Sequence, residues 1–289
     1  MSKAEEPRAG KLTIPAIRAR RAGPNLVMVA TYDYPTARLC ERAGVDMILV
    51  GDSLGMVALG YDTTVPVTLD DILHHCRAVV RGAPATHVVA DMPYLTFQID
   101  RARTIENAGR LIQQGGADSV KLEGGRRVAP MIEALTGAGI PVVGHVGLLP
   151  QRAGELGGFK VQGKDRATAR AILDDAAAVA DAGAFALVIE AVPAPLAALI
   201  TERSPIPTIG IGAGPGCNGQ VLLSHDLLGI EDRLLPRFVK RYADIGAVAL
   251  DALSAFAAEV RDGSFPDAGH SYAMSDELIA EIREDSGRG

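Results

Sequence analysis

Cysteine is scarce in this sequence, and its three residues, Cys40, Cys76 and Cys217, lie at scattered positions. An odd number without regular spacing argues against a disulfide framework and a zinc site, and is typical of a reducing compartment. A basic surface is also missing, because the formal net charge is −6 and no stripe of Lys and Arg is present. We therefore expect no nucleic-acid partner.

Long uncharged hydrophobic runs are absent as well. The most apolar stretch, residues 176–200, contains Asp181, Glu190 and two prolines. A membrane-spanning helix needs about 20 nearly uncharged residues, so we expect no membrane partner. The first residues are polar and lack the apolar centre of a signal peptide. These features predict a cytoplasmic protein.

Short apolar runs alternate with helical segments, which is the pattern of βαβ units in a parallel sheet. The chain has 289 residues, 48% of them hydrophobic, and no low-complexity linker, which suits one α/β barrel. We predict a single catalytic (β/α)8 domain over residues 1–289, with a barrel core over about 24–262, a short N-terminal helix and a C-terminal tail over 263–289 that carries a small helix. The eight strands are predicted near residues 26–30, 46–50, 87–90, 119–122, 141–144, 186–189, 208–211 and 237–240.

Polar residues stand at the carboxyl ends of five predicted strands. The carboxyl ends of barrel strands meet on one face, which holds the active site. Carboxylates that meet there repel one another unless a cation or a shared proton lies between them. The pattern therefore predicts an enzyme site built around a hard metal ion. The residues are Asp52 in ILVGDS, Asp91 in HVVADMP, Lys121 and Glu123 in SVKLEGG, His145 in VVGHVG and Glu190 in LVIEAVP.

Asp52 and Asp91 each follow an apolar strand, although aspartate is depleted in strands. Oxygen ligands of this kind suit Mg²⁺, which binds through one or two carboxylates and keeps several waters. Glu123 can reach the same metal from its own strand. The alternative is that each aspartate caps the turn or helix that follows it.

Three other strand-end residues have two interpretations each. Lys121 shares a strand face with Glu123, so it can hold a substrate anion at the barrel mouth or form an ion pair with that glutamate. Glu190 is a candidate general base, or else a solvated loop residue. His145 can position an oxygen or transfer a proton, or can be a hydrogen-bonded core residue.

The segment GIGAGPGCNG at residues 210–219 formally contains G-x-G-x-x-G. Pro215 interrupts the motif and no second nucleotide-binding half follows, which argues against a dinucleotide site. We expect instead that this loop brings the backbone close to a ligand or to a neighbouring loop.

Longer strings of the sequence occur in a characteristic order: VATYDYPTA, VGDSLGMVALGYDTTVPVT, RGAPATHVVADMP, VKLEGG, GHVGLLPQ, GGFKVQG, VIEAVP and IPTIGIGAGPGCNGQVL. These strings resemble the ketopantoate hydroxymethyltransferase (3-methyl-2-oxobutanoate hydroxymethyltransferase) family. The resemblance implies a (β/α)8 TIM barrel of the phosphoenolpyruvate/pyruvate type. It also implies transfer of a hydroxymethyl group from 5,10-methylenetetrahydrofolate to 3-methyl-2-oxobutanoate, which yields 2-dehydropantoate for pantothenate biosynthesis, and a homo-oligomer, specifically a decamer.

The resemblance also assigns roles to residues. Asp52 and Asp91 match direct Mg²⁺ ligands, and Glu123 matches a metal-site residue that acts through water. As a Lewis acid, the metal would stabilise the enolate formed when C3 of the keto acid loses a proton. Glu190 matches the proton acceptor, and Ser53 and Lys121 the groups that bind the keto-acid carboxylate. The predicted substrate-binding residues are Asp52, Ser53, Asp91, Lys121 and His145.

The sequence departs from the family pattern at two positions and leaves two other functions open. Leu149 stands where the family usually has Thr, and Asn218 where it usually has Asp.

One alternative is a keto-acid lyase or phosphonopyruvate-type mutase on the same barrel, which commonly uses a loop with a reactive cysteine. The other is a non-catalytic ligand-binding barrel.

Overall fold

The computed structural model describes residues 10–231, 233 and 236–286. The chain forms two compact units, Met1–Tyr242 and Ala243–Gly289. In the first unit, eight parallel strands follow one another in sequence order and close into a barrel, as predicted. The strands are β1 (Leu26–Ala30), β2 (Met47–Val50), β3 (His87–Asp91), β4 (Ser119–Glu123), β5 (Val142–Gly147), β6 (Ala186–Glu190), β7 (Thr208–Ile211) and β8 (Gly219–Leu223).

Helices connect most of the strands, and polar residues in the sequence determine where several of them begin. Thr68 and Asp71 form a reciprocal capping box, and Asp33 caps another helix through Thr36. The helices of this unit are α1 (Ile14–Ala19), α2 (Tyr34–Arg42), α3 (Leu54–Val57), α4 (Leu69–Gly82), α5 (Arg101–Gln113), α6 (Ala129–Gly137), α7 (Ala153–Leu156), α8 (Arg166–Asp181), α9 (Ala194–Arg203) and α10 (Ser224–Leu228).

The N-terminal segment lies against the amino ends of the strands. Nζ of Lys11 pairs with Asp118, just before β4, at 2.8 Å, and the Leu12 carbonyl lies 3.2 Å from Nδ1 of His87 at the start of β3. Ile17 of α1 is fully buried. The predicted N-terminal helix is therefore confirmed, and it leaves the carboxyl ends of the strands open for a site.

The prediction for the last strand was wrong. Residues 237–240 form a turn, and the closing strand is β8, which pairs with β1 and β7. The glycine-rich loop between β7 and β8 is too short to contain a helix, so the regular alternation of strand and helix stops there. The loop makes the expected close approach to a neighbouring segment, because a Cβ at Gly214 would lie 2.4 Å from Ala194 of α9.

The second unit contains α11 (Ile245–Asp262) and α12 (Asp276–Ser286), and α12 confirms the small helix predicted for the C-terminal tail. Neither helix has a buried residue, and Val248, Leu250 and Leu253 of α11 are about two-thirds exposed. Within the described ranges, no helix has the length and apolar character needed to cross a membrane. The prediction of one catalytic domain stays a prediction.

Candidate active site at the carboxyl end of the barrel

The register of the strands brings the predicted polar residues to one face. Asp91 pairs with Lys121 across β3 and β4, and Glu123 pairs with His145 across β4 and β5. Gly147 pairs with Glu190 across β5 and β6 in the same way. Because side chains of paired residues in parallel strands point to the same side, these groups share the barrel interior.

Asp91 lies at the centre of this cluster. Its Oδ2 accepts a hydrogen bond from the backbone N of Asp52 at 3.1 Å, and its Oδ1 lies 2.7 Å from Nζ of Lys121. The contact with Lys121 is an ion pair without the angles of a hydrogen bond, so Oδ1 is buried with no hydrogen-bond donor. Its near positive charge is the Lys121 ammonium, and a carboxylate oxygen with this one partner still has a lone pair available for a second cation.

The buried carboxylates have too little positive charge around them. Burial, then the nearby charge of Asp91, raises the pKa of Asp52 to about 7 against the opposing effect of Lys121. Burial, then the charge of Asp52, also raises the pKa of Glu123 well above its usual value. Burial alone would lower the pKa of Lys121, but the surrounding carboxylates raise it overall, so its ammonium stays charged.

Gln151 connects two of these carboxylates and was not predicted from the sequence. Its Nε2 donates to Oδ2 of Asp52 at 2.8 Å and to the carbonyl of Met92 at 3.0 Å, while its backbone N donates to Oε1 of Glu123 at 2.8 Å. The residue lies just beyond β5 in GHVGLLPQ and is buried. The sequence signal that could have identified Gln151 was its place in that string. As an uncharged side chain in a loop, it resembles an ordinary surface residue.

His145 lies between Lys121 and Glu190. Its Nδ1 is 3.4 Å from Nζ of Lys121, and its Nε2 is 3.1 Å from Oε2 of Glu190, although the Nε2–H direction is not aligned with that oxygen. Burial, then the charge of Lys121, lowers the pKa of His145, so the ring is neutral near pH 7. Since an ammonium can only donate to Nδ1, the ring proton is on Nε2 and faces Glu190.

The backbone around Glu190 allows little change. Gly147 has a φ of +97°, and a Cβ there would lie 2.2 Å from the carbonyl O of Glu190. The backbone N of Leu148 donates to that same carbonyl at 2.9 Å. Ala191, directly after Glu190, has a φ of +47°, which is uncommon for a residue with a side chain. The end of β6 is thus held in one conformation.

Substitution of Gly147 tests this constraint. Gly147→Ala adds a methyl group in a positive-φ position against the Glu190 carbonyl, so the free energy of unfolding should fall by about 2 kcal/mol or more. Urea denaturation measures the change. Gly137→Ala is the control, because no atom lies within 4 Å of its added Cβ. Equal stability of the two variants would contradict the proposed backbone constraint.

Tyr32 is a second buried residue that was not predicted from the sequence. Its hydroxyl lies 2.8 Å from Oγ of Ser53, and burial raises its pKa, so the phenol stays protonated. Tyr32 follows β1 in the string VATYDYPTA, as the predicted residues follow their strands. The hydrogen bond fixes the position of Ser53, the predicted carboxylate-binding residue.

Asp226, in α10 after β8, is a further buried carboxyl group. Asp226 is 6% exposed, and burial together with the charge of Glu231 raises the pKa of its carboxyl to about 6. In the unfolded chain an aspartate has a pKa of about 3.9, so the folded protein binds this proton more tightly. The carboxyl therefore lowers stability as the pH rises from about 4 through 6, and the loss persists at higher pH.

Asp226→Asn should remove this loss. The free energy of unfolding should increase by about 2–3 kcal/mol above pH 7, and by much less near pH 4, because the parent carboxyl is protonated in the folded state there. Denaturation curves at several pH values measure the difference. Asp181→Asn, at an exposed position at the end of α8, serves as the control. A gain that does not depend on pH would contradict the assignment.

The donor set also fits a metal that is held by few protein ligands. No group of three His, Cys, Asp or Glu side chains among the described residues forms a ready-made metal cage. Two buried aspartates meet at the site, and Asp91 offers an oxygen without a hydrogen bond. Mg²⁺ suits such a site, because it keeps several waters and needs only one or two carboxylates.

Neither departure from the family pattern alters the cluster. Asn218 lies at the amino ends of the strands, where its Oδ1 accepts from the backbone N of Thr208 at 3.0 Å and its Nδ2 donates to the carbonyl of Arg21 at 3.1 Å. Leu149 directly precedes a short 3-10 turn that contains Gln151.

Comparison with known proteins agrees with the motifs. The family model for ketopantoate hydroxymethyltransferase matches residues 11–268. The chain belongs to this family. The 3-methyl-2-oxobutanoate hydroxymethyltransferase of Moorella thermoacetica is 56% identical over 91% of this chain and 98% of its own length. That of Carboxydothermus hydrogenoformans is 52% identical over 94% of this chain and 99% of its own length.

Solved structures place the family fold among related barrels. A phosphonopyruvate hydrolase superposes with a TM-score of 0.58 at 17% identity, covering 94% of this chain and 95% of its own. A 2,3-dimethylmalate lyase of the PEP mutase/isocitrate lyase superfamily gives a TM-score of 0.54 at 15% identity, covering 96% and 99%. The (β/α)8 barrel fold predicted from the sequence is confirmed.

Proposed function

We propose that this chain transfers a hydroxymethyl group from 5,10-methylenetetrahydrofolate to 3-methyl-2-oxobutanoate and so forms 2-dehydropantoate, a step of pantothenate biosynthesis. The observation that carries the proposal is the division of the site into two acidic parts. Asp52 and Asp91 touch one another, whereas Glu190 lies apart and is linked to them through His145 and Lys121. Membership of the family supports the substrates and the product.

The proposed metal is Mg²⁺, with Asp52 and Asp91 as direct ligands and Glu123 at the site through water. The supporting features are the hard oxygen donors, the Asp91 oxygen without a hydrogen bond, and the raised pKa of Asp52. When bound, Mg²⁺ supplies Lewis-acid stabilisation of negative charge on the keto oxygen.

The keto acid is proposed to bind through its carboxylate. Lys121 keeps its positive charge in a buried position, and Ser53 presents a hydroxyl that Tyr32 holds in place. These two groups can hold a carboxylate with its carbon chain directed toward Glu190. A fixed orientation of this kind reduces the entropic barrier to reaction.

Glu190 is proposed as the base that removes the C3 proton. The Nε2 atom of the neutral His145 lies 3.1 Å from Oε2 of this carboxylate, and the lowered pKa of the ring keeps it from competing for the proton. Water adds to the methylene carbon of 5,10-methylenetetrahydrofolate and both of its C–N bonds break, which leaves tetrahydrofolate and a one-carbon unit at the oxidation level of formaldehyde. C3 of the enolate then forms a bond to that carbon, and the electron pair of its C=O bond becomes an alkoxide that takes the proton held by Glu190.

The alternatives have less support. The lyase and hydrolase with the same fold are only 15–17% identical to this chain, compared with 52–56% for the hydroxymethyltransferases. A reactive loop cysteine is expected for the lyase or mutase, but Cys40, Cys76 and Cys217 are all buried. A non-catalytic barrel would have no need for a buried acid cluster of this kind.

The remaining proposals concern the setting of the enzyme. We propose a cytoplasmic homo-oligomer, a decamer by resemblance to the family, that works as a single catalytic domain per chain without nucleic acid or membrane. The exposed apolar side chains of α11 support an assembly, because contact with another subunit would remove them from water.

Turnover of 3-methyl-2-oxobutanoate with 5,10-methylenetetrahydrofolate and Mg²⁺ tests the proposed function directly. Formation of 2-dehydropantoate, followed by mass spectrometry, is the expected result. Cleavage of a keto acid without folate would instead support the lyase, and failure to act on any keto acid would support a non-catalytic barrel.

The role of Glu190 can be tested without folate. In deuterated water with Mg²⁺, the parent enzyme should exchange the C3 proton of the keto acid, and proton NMR records the loss of its signal. Glu190→Gln cannot accept the proton, so exchange should slow by about 10²-fold or more. Glu133→Gln, on the exposed side of α6, is the matched control. Exchange by Glu190→Gln at the parent rate would show that another group is the base.

Gln151 should matter for the metal because it holds Asp52 through one charge-assisted hydrogen bond from Nε2 to Oδ2. The hydrogen bond from Nε2 of Gln151 lowers the pKa of Asp52 and so favours its charged form. Gln151→Met keeps the length of the side chain but removes this hydrogen bond. Mg²⁺ affinity should fall about 10–100-fold, as for other residues that orient metal ligands. Calorimetric titration measures it, with Gln114→Met at an exposed helix end as the control. Unchanged affinity would rule out this positioning role.

A further inference from the structure

A cavity of about 590 Å³ opens between the loops that follow β3, β4 and β5. Glu123 and Gln151 line it, and both also belong to the acid cluster. Gln98 lines it as well, and its Nε2 donates to Oε1 of Gln151 at 3.2 Å. The cavity is therefore continuous with the proposed metal site.

The volume exceeds what the keto acid needs. Cavities of ~300–1,000 Å³ hold ligands of drug size, whereas the keto acid is far smaller and is already placed by the cluster. The proposed reaction requires a second, much larger reactant whose methylene carbon must come next to C3. A cavity that borders the cluster is where such a reactant can approach.

The walls of the cavity suit a flat aromatic ligand. Apolar side chains line it, among them Phe97 after β3, Val128 after β4 and Met131 of α6. Leu95, at the rim, is half exposed and has a φ of +62°. A positive φ at a residue with a side chain costs energy, and such conformations are concentrated at ligand-binding sites.

The polar part of the lining carries two arginines. Arg152 forms an ion pair with Glu155, which also lines the cavity. Arg127 makes no ion pair with any residue in the described part of the chain, and its side chain borders the same space. A guanidinium group suits a carboxylate, which it can bind through two parallel hydrogen bonds.

We propose that this cavity binds the tetrahydrofolate carrier, with the ring system against Leu95 and Met131 and the glutamyl carboxylates near Arg127 and Arg152. The inference rests on the proposed function and adds the location of the folate site, which the sequence did not indicate. Gln98 and Gln151 then form the polar boundary between the two reactants.

Filling the cavity gives the sharpest test. Gly154 lines it, and a Cβ at that position meets no atom within 4 Å, so the side chain of Gly154→Leu can begin there without backbone strain and extend into the space. Gly137→Leu, at the end of α6, is the same change with the same free space outside the cavity. The probe is 5-formyltetrahydrofolate, titrated by calorimetry in the presence of Mg²⁺ and keto acid. Its dissociation constant should rise about tenfold or more for Gly154→Leu and less than twofold for Gly137→Leu.

The charge contact is tested with two neighbouring arginines. Arg127→Gln should weaken binding of 5-formyltetrahydrofolate about three- to fivefold. Arg126→Gln should not, because Arg126 pairs with Asp175 and is not part of the lining. Tetrahydropteroate, which lacks the glutamyl group, should bind equally well to the parent and to Arg127→Gln, a result that an unspecific structural defect would not produce.

The outcomes separate this inference from the proposed function. If the parent forms 2-dehydropantoate but Gly154→Leu and Arg127→Gln bind 5-formyltetrahydrofolate like the parent, the cavity is not the folate site and the proposed function stands. If the parent neither binds the folate nor forms product, both proposals are wrong. If folate binding weakens in these two variants and in neither control, the site is established.

Discussion

Charge balance in a buried space is the constraint on which this site depends. Four carboxylates and one ammonium group share the carboxyl end of the barrel, and the histidine among them is neutral. Burying charges costs free energy that a single ion pair, Lys121 with Asp91, does not fully offset. The raised pKa values of Asp52 and Glu123 are the consequence. A divalent cation would offset most of the excess negative charge, which is why the cluster is better understood as a place for a ligand than as a stabilising network.

The barrel can tolerate the free-energy cost of burying these charges because the rest of its interior is apolar and its sheet is closed. Strand residues on either side of the charged ones, such as Val120 and Leu122, are fully buried. Closure of the sheet satisfies the backbone of every strand, so loops at the carboxyl end are free to carry polar contacts. Gln151 uses that freedom, since one residue from the loop after β5 holds a carboxylate of the loop after β2 and another of β4.

Predictions from the sequence succeeded where the signal was local. An acid or a lysine that ends a β-branched run can be recognised in the sequence without knowledge of the residues it contacts. The strand-end residues predicted in this way do meet in one cluster. The last strand was misplaced because the regular strand–helix alternation ends at the glycine-rich loop, and β8 is defined by its pairing with β1 across the whole chain. Tyr32 and Gln151 were missed because neutral side chains in loops resemble ordinary surface residues. Their role depends on what they touch.

The sequence alone was sufficient for the fold class, the family and the set of charged residues at the site, because these depend on local patterns and on long motifs. Only the tertiary structure decided which of those residues pair. Lys121 and Glu123 are two residues apart on one strand, about 6–7 Å along its length, whereas neighbouring strands lie about 4.8 Å apart. Lys121 therefore pairs with Asp91 across the register of β3 and β4. Distances between strands come from the closed barrel, and no spacing within the sequence contains them.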